Sequence, residues 1–164
     1  MKRFLPALML VLAVALVFPD GVNAQARINT PRASPHAMVL QTIGMTDISI
    51  DYHRPAVRGR TIWGGLVPWD QVWRAGANEN TIITFSDDVL VEGNALSAGR
   101  YGLHMIPHEN EDWEIIFSSQ ANAWGSFSYD EAEDVLRIQV APEEAPYVDR
   151  LLYTFDDPMN TDTD

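Results

Sequence analysis

The chain has 164 residues, no cysteine, and 23 acidic against 11 basic side chains, giving a net charge of −12. That balance argues against nucleic acid and anionic membrane as partners, because both select basic surfaces. The lack of cysteine excludes disulfides and a lipid-bearing cysteine at a processing site.

The first 24 residues read as an export signal. Lys2 and Arg3 precede an apolar run from Leu5 to Phe18, and Val22-Asn23-Ala24 offers a small-x-small cleavage site before Gln25. The run is shorter than the roughly twenty residues that span a bilayer, so cleavage is expected rather than anchoring. Removal of this segment leaves 140 residues, enough for one core without disulfide staples. Without Lys2, Arg3 and Asp20 the remainder carries 9 basic and 22 acidic residues, and every basic one is arginine. The expected product is soluble, not lipidated, and periplasmic or extracellular.

Residues 25–35 form a proline-containing exposed lead-in, 36–157 a β domain, and 158–164 a polar tail. Met38–Ile43 is a short first strand. Ile48, Ile50 and Tyr52 alternate along a second, and Ile83 and Phe85 along Thr81–Phe85. Val89–Val91 runs into Glu92-Gly93-Asn94, a tight hairpin turn. Inward sets follow at Tyr101/Leu103/Met105, Trp113/Ile115/Phe117, Leu136/Ile138/Val140 and Leu151/Tyr153/Phe155, with one helical turn at Asp130–Asp134. About eight strands at this spacing, with no crossover helices, predict an all-β, antiparallel sandwich, with an open barrel as the alternative. The final strand falls so near the end that the chain is expected to stop short of a further one.

Asp51–Glu79 interrupts the pattern. It holds Trp63, Trp69 and Trp73, Arg54, Arg58, Arg60 and Arg74, four glycines and two prolines. No regular element favours that mixture, and it is too aromatic for disorder. An ordered irregular cover over one face or end of the sheets is expected, and such segments often carry sites.

Several of its blocks recur in a family. Ser34-Pro35-His36-Ala37, Gln41-Thr42-Ile43-Gly44, Arg54-Pro55, Gly59-Arg60, Gly64-Gly65-Leu66-Val67-Pro68 and the run Val72–Glu79 are followed by Ala98–Leu103, Trp124-Gly125 and Phe155-Asp156-Asp157. In this order they closely resemble the bacterial domain-of-unknown-function family numbered 2911. The resemblance implies an exported, predominantly β domain and assigns no catalytic residue. It also implies a further, tryptophan-containing strand beyond Phe155-Asp156-Asp157, where this chain ends at Asp164.

The chemistry-bearing candidates are Tyr52, Arg54, Arg60, Trp73, Arg74, Asn78, Glu79 and His104. Arginine grips carboxylate or phosphate with a planar fork and stacks on aromatic faces, so this cluster suits a small anion. The competing expectation is that the arginines pair with Asp47, Asp51, Asp70 or Glu79 and pin the loop. Asn78 and Glu79 are polar partners, and Glu79 or His104 would serve as acid or base in an envelope hydrolase. A glycan reading rests on Trp63 and Trp69. His36, His53, His104 and His108 show no metal-ligand spacing, Gly64-Gly65 no phosphate-loop context, and no serine sits in a nucleophile elbow, so neither metal nor cofactor is expected. The favoured function is non-catalytic binding of a small anionic ligand, a glycan or an envelope protein. An envelope hydrolase and a purely structural envelope domain are the alternatives.

Overall fold

The computed structural model describes residues 30–156. The expected leader at 1–24 and the polar tail at 158–164 lie outside them. Eight strands run in order: β1 His36–Ile43, β2 Thr46–His53, β3 Thr81–Phe85, β4 Val89–Val91, β5 Asn94–Leu96, β6 Gly99–Ile106, β7 Trp113–Ser118 and β8 Asp134–Val140. Six form one antiparallel sheet in the order β1-β2-β3-β6-β7-β8, and β4-β5 is a separate hairpin. The sheet is a meander, and β1 and β8 each have one neighbour, so it does not close into a barrel.

The side-chain period of two builds the core. Across the sheet Val39 faces Ile50, Ile50 faces Ile83 and Ile83 faces Tyr101. Leu103 faces Phe117, which faces Leu136. Phe85, Tyr101 and Phe117 meet edge-on or tilted at 6.3–6.5 Å between centroids, the arrangement aromatic rings favour. A second, smaller layer covers this face. It consists of Leu96 with Val89 and Val91 from the hairpin, and Leu151, Tyr153 and Phe155 from the C-terminal arm. The architecture is thus the expected all-β sandwich with unequal layers. The hairpin turns at Glu92 (φ 47°) and Gly93 (φ 76°), two successive left-handed residues as in a type I′ turn, whose twist matches that of the strands.

The C-terminal arm alternates as the sequence predicts but joins no ladder. Its amide groups go elsewhere: Leu151 N donates to Pro55 O at 3.0 Å and Tyr153 N to the Tyr52 hydroxyl at 3.2 Å. Tyr153 also donates its hydroxyl to Ala75 O at 2.7 Å and meets Tyr52 edge to face.

On the opposite face, β6 and β7 are covered by the segment between β7 and β8, which includes a 3-10 turn at Glu131–Glu133. His104 is 2 % exposed there, Ile116 and Ser118 are buried, and His104 Nδ1 lies 3.2 Å from Ser126 Oγ with its ring edge-on to Tyr129. Burial pushes the His104 imidazole below its ordinary value of 6.5. The same cause lowers buried His53, with Glu79 acting against it. Both histidines therefore bind fewer protons folded than unfolded. Their contribution to stability is present above pH 6.5 and lost as pH falls through the folded values. His108 acts in the opposite sense: its hydrogen bond to Asp70 raises it, so its contribution holds below 6.5 and fades at higher pH. Two buried groups lose their contribution on acidification against one surface group that gains, and the urea midpoint is expected to be lower at pH 5.5 than at 7.5, with a flatter dependence in His104→Gln. Equal midpoints in the parent chain would contradict this.

Candidate functional site

The irregular segment between β2 and β3 is stitched down at several points. Arg54 N donates to Pro35 O at 2.9 Å, Ala56 bridges Arg150, Asp70 N donates to Pro107 O, and Trp73 exchanges both backbone hydrogen bonds with Met105 at 2.7 and 2.9 Å. Four of its non-glycine residues, Arg58, Asp70, Ala75 and Asn78, have positive φ. Such backbone persists only where the surroundings over-determine it. Val57–Arg60 is a turn closed by Arg60 N donating to Val57 O at 3.1 Å, with Arg58 (φ 51°) and Gly59 (φ 68°) at its centre. Only glycine adopts the second of these conformations without strain.

Between this segment and the arm before Leu151 lies a cavity of about 740 Å³. That is within the roughly 300–1,000 Å³ usual for small-molecule sites. Arg58, Arg60, Arg74 and Arg150 line it, and among the described residues no aspartate or glutamate does. The rest of its wall is largely apolar, including Val57, Ile62, Trp63, Leu66, Val67, Trp73, Val148 and Leu151. Trp63 meets Trp73 at 5.4 Å and Trp113 at 4.6 Å, both edge to face, so it is a braced wall rather than a free flat platform. Trp69 packs its indole nitrogen over Gly64, where an added Cβ would come within 2.4 Å.

The four carboxylates expected to neutralise these arginines are engaged elsewhere. Asp47 takes the Thr42 hydroxyl, Asp51 meets His36 at 2.8 Å, Asp70 meets His108 at 2.5 Å, and Glu79 accepts from Arg32 at 2.7 Å. The cavity arginines bond to carbonyl oxygens instead. Arg60 donates Nε to Val57 O at 3.0 Å and Nη2 to Ala56 O at 2.6 Å, Arg74 donates Nη1 to Asn78 O at 3.1 Å, and Arg150 donates Nη1 to Ala33 O and Arg54 O, both at 3.2 Å. The Arg58 guanidinium makes no hydrogen bond or ion pair among the described residues. Carbonyls orient a guanidinium but leave its charge in place, and each lining arginine keeps unspent donors. The nearby Asp149 carboxylate accepts from Arg58 N and from the Tyr147 hydroxyl, both at 3.3 Å, and not from a guanidinium.

Of the residues singled out in the sequence, the fold brings Arg60, Trp73 and Arg74 to this cavity. Arg54 stands behind its wall, donating Nε to Leu151 O at 2.8 Å. Tyr52 is in the core. Asn78 donates to Ser34 O at 3.2 Å and Glu79 binds Arg32, so both tie down the lead-in. The Arg32 hydrogen bond also holds the Glu79 carboxyl below its ordinary value, and the His53 Nε2 lies 3.3 Å away. His104 is on the far face of the sheet. Neither Glu79 nor His104 lines the cavity. Arg58, one of the four arginines of the irregular segment, joins them at the cavity, and Arg150 is the lining arginine that the sequence reading missed. The sequence signal for Arg150 is the scarcity of cations: in a chain with one lysine, each arginine is a candidate anion ligand.

Among the described residues no helix is long and apolar enough to cross a membrane, and no group of three or more His, Cys, Asp or Glu is placed to hold a metal ion. No curated protein and no solved structure matches the chain. The model of the family described as protein of unknown function (DUF2911) matches residues 34–164, and the chain belongs to that family.

Proposed function

We propose that the chain is an exported, non-catalytic binding module that takes a small anionic ligand into the arginine-lined cavity. One observation carries the reading. In a chain of net charge −12, four arginines converge on a cavity of about 740 Å³ that no carboxylate lines among the described residues. A cation left without a counter-ion in a partly apolar setting raises the local potential and favours an anion. The guanidinium fork then supplies paired, charge-assisted hydrogen bonds. The hydrolase alternative draws no support from the placement of Glu79 and His104, and the glycan alternative none from the edge-braced Trp63. Export rests on the leader read in residues 1–24.

The test is ligand-induced stabilisation. A ligand present at a hundred times its dissociation constant stabilises the folded state by about 2.7 kcal/mol. Phosphate, citrate and short carboxylates are expected to raise the Tm of the parent chain. The shift should vanish in an Arg58→Gln/Arg60→Gln double variant, whose side chains lie at the exposed rim. Equal shifts in both proteins would overturn the reading.

A further inference from the structure

The chemistry of the cavity wall narrows the ligand beyond its charge, resting on the anion reading above. A small hydrated anion would satisfy the arginines and leave most of the wall facing water. Apolar surface of that extent at a ligand site is complementary to an apolar body. The surface outside continues the same character. Leu66 is 53 % exposed, Trp63 39 % and Phe127 86 %. Leu66 and Phe127 also line a second cavity of about 340 Å³, which shares Leu66, Val67, Trp73 and Arg74 with the first. Arg74 thus sits at the wall between them, with its guanidinium 5.9 Å from the Phe127 ring centroid. An exposed apolar strip leading from a cationic cavity marks an interaction site rather than scattered surface hydrophobics.

We infer that the ligand is a single-chain amphiphile, its oxyanion head held by Arg60 and Arg74 and its unbranched apolar chain lying along Ile62, Trp63 and Leu66 towards Phe127. The net charge of −12 selects a free amphiphile over the surface of an anionic bilayer, because the whole molecule is repelled from the latter. Carboxylate and phosphate heads share the chemistry that the fork recognises, and the experiment separates them.

Calorimetry on the full chain with butanoate, hexanoate, octanoate and decanoate, the matching alkyl phosphates, the matching alcohols and inorganic phosphate makes the test. Affinity is expected to rise by up to about fourfold per added methylene until the apolar wall is covered. Leu66→Ser and Phe127→Ser, both at exposed positions, should flatten that rise. Arg60→Gln should weaken every anion by a similar factor, and the head series bound more tightly identifies the head. Phosphate binding with no gain from chain length would overturn the amphiphile and leave the anion site standing. Alcohols binding as well as the anions, or nothing binding, would overturn both.

Discussion

Exchange of Arg137 for methionine is expected to cost about 3 kcal/mol of folding stability, because removing one partner of a buried ion pair strands the other. Asp134 is that other partner, its side chain 7 % exposed. Its Oδ2 accepts from Arg137 Nε at 2.7 Å and from the Tyr129 hydroxyl at 2.5 Å, while Oδ1 is buried without a partner. Arg137 also donates to the Tyr129 oxygen at 2.6 Å and to Glu114 at 3.0 Å, so one guanidinium holds three side chains together. Burial, with Asp134 as acceptor, pushes the Tyr129 phenol up to about 12, so it remains a donor at any physiological pH. Arg137 itself is partly exposed, which places the cost at the lower end of the range for buried pairs. The loss should appear as a fall in Tm of about 10 °C, and most of it should return in an Asp134→Asn/Arg137→Met double variant. A cost below about 1 kcal/mol would show that water screens the network and that the cover over His104 is held by packing alone.

The second large effect concerns Arg74. Arg74→Gln should weaken anion binding about thirtyfold, the lower bound for losing one side of a desolvated charge pair. Arg74→Lys should recover only part of this, since an ammonium keeps the charge and loses the fork. A change that leaves Arg74 in place offers a sharper contrast. Gly125 has φ +66°, and a Cβ there would lie 2.4 Å from Arg74 Nη1. Gly125→Ala should therefore displace the guanidinium and weaken binding in the same direction as Arg74→Gln. If Gly125→Ala binds like the parent chain while Arg74→Gln does not, the guanidinium's observed position is not the one that meets the ligand.

These expectations depend unequally on what the sequence makes legible. Strand faces are legible because their period is two: Ile48/Ile50/Tyr52 and Tyr101/Leu103/Met105 point inward as their alternation requires. Glycines and prolines likewise mark residues 54–80 as an ordered, irregular cover. Periodicity reports facing and not pairing, so Leu151/Tyr153/Phe155 reads as a strand although its amide groups go to Pro55 and Tyr52. His104 falls on the outer face by phase, but its burial comes from a covering segment with no apolar period of its own. Charge partners are the least legible. Glu79 lies close in sequence to Arg74 and pairs with Arg32, and Arg150 reaches the cavity only because Ala56 bridges it from across the chain. Such choices are made by the closed fold, where a contact between residues distant in sequence is as short as a local one.

The proposed function rests on an anion held at Arg60 and Arg74 in the cavity between the irregular cover and the C-terminal arm. The most direct measurement is a crystal structure of the chain grown with octyl phosphate. Phosphate oxygens are expected within hydrogen-bonding distance, about 3 Å, of both guanidinium groups, with the alkyl chain against Ile62, Trp63 and Leu66. An empty cavity at saturating ligand, or a phosphate bound elsewhere on the surface, would contradict it.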